Sequence, residues 1–392
     1  MTRTIAVVTG TRAEYGLLRW VLAEIADRSN LRLRLIVTGS HLSPAFGDTW
    51  RAIVDDGFAI DERVEILDDD DSALGAARAL GRATSGVANA LDRLHPDLVV
   101  LLGDRYEILG AASAALMLGI PIAHIAGGEV TEGALDDAIS HAVTKLSALH
   151  FPAAEAYRAR ILQLGENPAM VTTVGATGFD NFERLRLLDR AHLAVELGIA
   201  LDLARPLIAC TFHPETRGAA TPEQALTPLF DALDALPELQ VIVTKANADA
   251  GGRRINELLD AYVAQHSGRM WAFASLGQQR YLSLLAAADV VLGNSSSGII
   301  EAPAAGTPTV NIGDRQTGRL RAPSIIDVEN DAEQIRAAIE RSLAPDAQAA
   351  AARRESPYGT PGAARLIVDR LAAVDLAALR TKHFHERGVE HA

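Results

Sequence analysis

The chain has 392 residues, 48% hydrophobic and 22% charged, which is material for two packed domains rather than one. Its 37 Lys and Arg stand against 50 Asp and Glu, a formal charge of -13 that excludes broad nucleic-acid binding through a basic face, although single arginines can still hold an anion in a cleft. The one cysteine, Cys210, excludes an internal disulfide and a thiolate metal cluster, and within "PLIACTF" it reads as a small core residue.

At the N-terminus, the apolar stretch of "MTRTIAVVTG" is too short for a secretory leader, and no later apolar run has the length of a membrane span. A cytoplasmic protein without a membrane partner is therefore expected. "TIAVVTG", "LRLIVTGS", "DLVVLLGD" and "PIAHIAGG" read as buried parallel strands, each followed by a turn and a helix-length segment. After about residue 185 the rhythm restarts with "PLIACTFHPE", "QVIVTKAN", "VVLGNSSSG" and "PTVNIG". The pattern predicts two successive α/β units, 1–185 and 206–365, joined through the charged helical stretch Arg184 to Pro206 and followed by a helix and tail over 366–392. "SLAPDAQAAAARRESPYG" reads as a surface helix and loop, and the histidines of "KHFHERGVEHA" as frayed, solvated residues.

In a doubly wound sheet, ligands sit outside the carboxyl ends of the strands. The polar residues just past the predicted strands are Arg12, His41, Asp104, Arg105, Glu129, His213, Asn247, Ser295 to Ser297 and Arg315. In "VVLGNSSSGIIEA" the strand ends at Gly293, three serines follow, and a helix is expected to start near Gly298. Free N–H groups, the helix dipole and the hydroxyls would suit a diphosphate, and Glu301 would suit a ribose diol; equally, the serines could only cap the helix. Arg315 and Arg319 of "NIGDRQTGR" add guanidinium groups beside that turn. "VTGTRAEYG" lacks the three-glycine dinucleotide spacing, so no nicotinamide cofactor is expected; Arg12 there is an anion contact or an ion-pair partner of Glu14. "HIAGGEVTEGALDD" crowds Glu129, Glu132, Asp136 and Asp137 with no Lys or Arg among them. Such crowding raises the pKa of one carboxyl and lets an acid and a base coexist at neutral pH. His124 in this run reads as a core histidine, while His141 and Lys145, four apart on one helix face, fit a substrate contact or a solvated face.

"TGTRAEYG", "VTGSHLSPAFG", "GDRYEIL", "HIAGGEVTEGALDDAISHAVTKLSALHF", "RILQLGENP", "FHPET" and "GNSSSGIIEAPAAGTPTVNIGDRQTGR", in this order over about residues 3 to 330, resemble the hydrolysing UDP-N-acetylglucosamine 2-epimerases of sialic acid and related nonulosonate synthesis. The resemblance implies two Rossmann-like domains in the glycosyltransferase-B architecture with the active site between them, a homodimer, and neither metal nor other cofactor. It implies that UDP-N-acetylglucosamine and water give N-acetylmannosamine and UDP, by anti elimination to a glycal and its hydration. Residue by residue, it implies Asp104 and Asp136 as catalytic carboxylates and His213 near the leaving diphosphate. Arg12, Arg105, Asn247, Ser295, Ser296, Glu301 and Arg315 would hold the nucleotide. The chain departs from the "HIEGG" of many relatives at Ala126, which leaves the base open and makes Glu129 a candidate. Related enzymes act on UDP-N,N'-diacetylbacillosamine or GDP-linked analogues. A glycosyltransferase of the same architecture and an impaired nucleotide-sugar binder are the competing expectations.

Overall fold

Parallel strands buried on both faces need helices on both. In a computed structural model of the chain, which describes residues 2–70, 72–130, 135–214, 221–246 and 252–386, two six-stranded sheets meet that need. The first contains β1 (Arg3–Thr9), β2 (Leu31–Thr38), β3 (Glu62–Val64), β4 (Leu98–Leu102), β5 (Ile122–Ile125) and β6 (Leu149–Phe151). The second contains β7 (Leu207–Thr211), β8 (Gln240–Thr244), β9 (Met270–Phe273), β10 (Val290–Gly293), β11 (Thr309–Ile312) and β12 (Ile325–Val328). Their orders are β3-β2-β1-β4-β5-β6 and β12-β11-β10-β7-β8-β9, with every pair parallel. Each is the doubly wound 3-2-1-4-5-6 order, so each reverses direction once, between β1 and β4 and between β7 and β10.

All eight strands expected from apolar runs are present. The four not anticipated, β3, β6, β9 and β12, are the four edge strands. They are only three or four residues long; β3, β6 and β12 carry polar residues within that length, and β9, though apolar, is partly open to solvent.

Side chains alternate across β1, and the two sets enter different cores. Ile5 and Val7 pack with Leu18, Leu22 and Ile25 of the helix Arg12–Ala26 and with Ile367, Val368 and Leu371 of the helix Ala363–Ala373. Ala6 and Val8 pack with Ala83 and Val87 of the helix Ala73–Leu94 and with Ile108 and Ala112 of the helix Tyr106–Met117. One face of the first sheet is thus finished by a helix from the far end of the chain. Compact units accordingly divide as Met1–Asp180 with Gly359–Ala392, and Asn181–Tyr358, rather than at the expected 185, 206 and 365. The stretch expected to be a joint belongs to the second unit, where Phe182, Leu185, Leu187, Leu188 and Leu193 pack with Leu207, Ala209 and Leu285.

Polar contacts fix the returning segment. Asp180, 1% exposed, accepts hydrogen bonds from the backbone N–H groups of Gly362, Ala363 and Ala364, which open the helix Ala363–Ala373. The Arg3 guanidinium donates to the carbonyls of Leu371 and Val374 at its other end. Farther on, Lys382 donates to Lys145 O, Ser147 O and the Glu166 carboxylate, and His385 N donates to Gly165 O. The tail through residue 386 is therefore tied to the first unit, and His385 is held through its backbone rather than frayed. Among the described residues, no helix is long and apolar enough to cross a membrane.

Replacing Asp180 by Ala leaves three helix-opening N–H groups without their acceptor in a buried place. The expected cost is about 2–3 kcal/mol of stability, the range for hydrogen bonds to a charged group. A urea titration should show a lower midpoint for Asp180→Ala, with Asp180→Asn between it and wild type; an unchanged midpoint would remove Asp180 as the anchor.

Candidate active site

Among the described residues, most of the expected site residues lie in the turns that follow the carboxyl ends of strands. In the first unit, Thr11 caps the helix after β1 by accepting from Glu14 N, which places Arg12 at the first helical position, exposed. Glu14 does not pair with Arg12; its carboxylate turns inward and accepts the Gly10 N–H at 2.7 Å. Across the reversal, β4 ends at Leu102, and Asp104 and Arg105 lead into the helix Tyr106–Met117. Asp104 is half-buried and Arg105 is largely exposed. The Arg105 Nε donates to Glu107 at 2.7 Å, so its carboxylate partner is Glu107, not the adjacent Asp104.

His124 on β5 is fully buried, with Nε2 donating to Gly103 O at 2.8 Å and Nδ1 facing the Thr144 hydroxyl at 3.1 Å. Burial pushes its pKa down to about 4, against the pull of the Gly103 carbonyl, so the ring is neutral. It is the expected core histidine, and it fixes the carbonyl that precedes Asp104. β5 ends where Ala126, with φ of 61°, turns left-handed after donating its N–H to Phe151 O. Glu129 follows, half-buried. Glu132 lies outside the described residues. Asp136 is the exposed second residue of the helix Leu135–Leu146, with Asp137 beside it 3.9 Å from His141. Lys145 on the same helix donates to Glu166 at 2.8 Å. Burial pulls the Glu166 pKa up, but hydrogen bonds from His150, Lys145 and Lys382 outweigh it and hold it at about 2.

In the second unit the reversal between β7 and β10 is organised by a residue not singled out from the sequence, Asn294. It is fully buried; its Oδ1 accepts His213 N at 2.7 Å and its Nδ2 donates to His213 O at 2.9 Å. Its carbonyl accepts Arg315 Nη1 at 3.1 Å and Gln316 Nε2 at 2.9 Å. Asn294 thus holds together the backbone of His213 and the side chain of Arg315, and Ser295 follows it directly. Gly293 before it has φ of 128°, and a Cβ there would stand 2.0 Å from Thr211 O, so only glycine lets β10 approach β7 this closely.

Helix begins two residues earlier than expected, at Ser296, and Ser295 is its cap, accepting from Ser297 N. The first segment is short: Ser296–Ile299 breaks at Ile300 before Glu301–Ala305 resumes, so no long dipole points at the serines. Ser295, Ser296 and Arg315 are the side chains with donors to offer at this turn. Glu301 opens the second segment; loss of water around its carboxyl pushes its pKa up to about 7, with Arg319 pulling the other way. Asn247 lies outside the described residues.

Comparison with known proteins adds to this geometry. The family model described as UDP-N-acetylglucosamine 2-epimerase matches residues 23–372. The chain is 42% identical over 333 residues to the GDP/UDP-N,N'-diacetylbacillosamine 2-epimerase (hydrolyzing) of Campylobacter jejuni, covering 85% of this chain and 86% of that protein. It is 35% identical to the UDP-N,N'-diacetylbacillosamine 2-epimerase (hydrolyzing) of Legionella pneumophila, covering 84% of this chain and 86% of that one. Among solved structures, the UDP-GlcNAc 2-epimerase of Neisseria meningitidis bound to UDP-GlcNAc has a similar fold, with a TM-score of 0.78 and 19% identity over 94% of this chain and 99% of that one. With a family model matched over residues 23–372 and relatives 42% and 35% identical over most of their length, the chain belongs to the UDP-N-acetylglucosamine 2-epimerase family.

Proposed function

We propose that the protein is a hydrolysing 2-epimerase of a nucleotide-linked 2-acetamido sugar, with UDP- or GDP-linked N,N'-diacetylbacillosamine as its first substrate and UDP-N-acetylglucosamine as the second. The names of the Campylobacter and Legionella relatives support that order. The observation that carries the reading is a carboxylate and a guanidinium, Asp104 and Arg105, set side by side at the reversal of the first sheet in a chain of this family.

A carboxylate removes the C2 proton while the nucleoside diphosphate leaves C1 from the opposite face, giving a glycal. Water then adds its oxygen to C1, and a proton returns to C2 on the other face, inverting that centre. Water is the only co-substrate the balance needs. Asp104 and Asp136 act on the proton at C2, and Glu129 supplies the carboxyl that Ala126 does not. Arg12, Arg105, Ser295, Ser296 and Arg315 receive the diphosphate, His213 meets charge growing on the departing oxygen, and Glu301 and Asn247 hold the nucleoside. Asn294 supports the assignment of His213, because both backbone groups of that histidine are fixed before substrate arrives.

Incubation with each nucleotide sugar, followed by NMR of the products, tests the reading. The expected result is a free 2-epimer plus UDP or GDP. Transfer to an added acceptor would replace the reading with a glycosyltransferase, and binding without turnover would replace it with an impaired binder.

Asp104→Asn and Asp136→Asn should each lower turnover by roughly 100-fold or more, the range for general acid and base groups, with UDP affinity near wild type. Normal turnover in either variant would take that residue off the catalytic list. At the "HIAGG" turn, Glu129→Gln should be nearly inactive, and adding Ala126→Glu should restore part of the activity. The exchange adds no backbone strain, since alanine already carries a Cβ at φ of 61°. If Glu129→Gln keeps most activity, Asp104 and Asp136 suffice and the substitute role of Glu129 is lost.

A further inference from the structure

The turns after β1 and β4 are joined by a cluster of charge, two buried carboxyls and the more exposed Arg105, of which the chemistry above uses only Arg105. Glu14 folds back onto Gly10 N, and Glu107, wholly buried, accepts from Arg105 Nε. Arg105 Nε also lies 4.0 Å from Glu14 Oε1. Gly10 has no room for a side chain: a Cβ there would stand 2.7 Å from Glu107 Cγ and Oε1. The outer oxygens, Glu14 Oε1 and Glu107 Oε2, are buried without a hydrogen-bond partner among the described residues. From the turn after β2 comes His41, held between Thr9 and Thr49 and kept neutral, since burial lowers its pKa to about 4. Tyr106 faces the cluster from the second helix. On the helix of Glu14 itself, Arg12 is exposed and Arg19 is paired with Asp56.

Two carboxylates face one guanidinium, so the cluster is neutral only while it keeps a proton. Burial, and then the charge of Glu107, push the Glu14 pKa up to about 8, against the hydrogen bond from Gly10 and the pull of Arg105. Resting on the nucleotide-sugar reading, we propose that Glu14 and Glu107 are positioning residues, a proton-holding clamp that sets Arg105 and the Gly10–Arg12 turn for the diphosphate and keeps their surroundings free of net negative charge. While Glu14 is protonated, the clamp adds no repulsion. Once the pH passes about 8, Glu14 ionises, the cluster gains a negative charge, and the diphosphate is repelled.

The test is UDP binding to the full-length protein by calorimetry at pH 7 and pH 9. Wild-type affinity should fall by roughly tenfold, as expected when most of a group with a pKa near 8 has ionised. Glu14→Gln keeps an oxygen for Gly10 N but cannot ionise, and its affinity should change by less than about twofold. The ratio of the two cancels ionisation of uracil itself. Glu107→Gln takes one carboxylate out of the cluster, so ionisation of Glu14 leaves it neutral and the fall in affinity between pH 7 and pH 9 should shrink. A wild-type affinity equal at the two pH values overturns the clamp whatever the variants do, as does an equal fall in Glu14→Gln. Where UDP does not bind at pH 7 the same titration is run with GDP, and a protein that binds neither overturns the nucleotide-sugar reading with it.

Discussion

Parallel strands covered on both faces leave one place for polar chemistry, the turns at their carboxyl ends, and this constraint governs both halves of the chain. Each sheet has helices on both sides, and its strand residues are almost wholly buried and apolar. Side chains such as Arg12, Asp104 and Glu129 in the first unit, and His213, Ser295 and Arg315 in the second, lie in strand-end turns because a sheet buried on both faces would tolerate them nowhere else without partners. The order 3-2-1-4-5-6 then selects among those turns, since neighbouring connections part at only one position in each sheet.

What holds these residues is mostly backbone bonding by buried polar side chains. His124 fixes Gly103 O, Asn294 fixes His213 and Arg315, and Asp180 fixes the helix that completes the first sheet. None of these three contributes exposed chemistry, and each is buried where an unmet donor or acceptor is costly. Such groups restrict the strand-end turns to one arrangement before any ligand binds, which is what a reaction depending on the placement of a carboxylate requires.

The central strands and the strand-end residues were legible in the sequence because both leave local marks: "DLVVLLGD" is a buried run followed by its polar turn. What escaped was non-local. Edge strands such as Ile325–Val328 are short and partly solvated, so periodicity does not separate them from loop. The helix Ala363–Ala373 was legible as a helix, but its place on β1 depends on Arg3 and Asp180, more than 180 residues away. Asn294 stood in the quoted "GNSSSG", yet its partner His213 is 81 residues distant and nothing local announces it. Nothing local to "GDRYEIL" marks Glu107, because only the fold brings Glu14 against Arg105 and Glu107. The serine turn differed for a local reason, because Ser295 takes the cap and starts the helix two residues early.

Every catalytic role proposed for this chain depends on removal of the proton at C2. Turnover of the nucleotide-linked sugar in deuterium oxide, with the product examined by NMR, tests this most directly. The expected product is a free sugar inverted at C2 that carries deuterium there. A product that retains its original hydrogen at C2, with that centre uninverted, would contradict that removal.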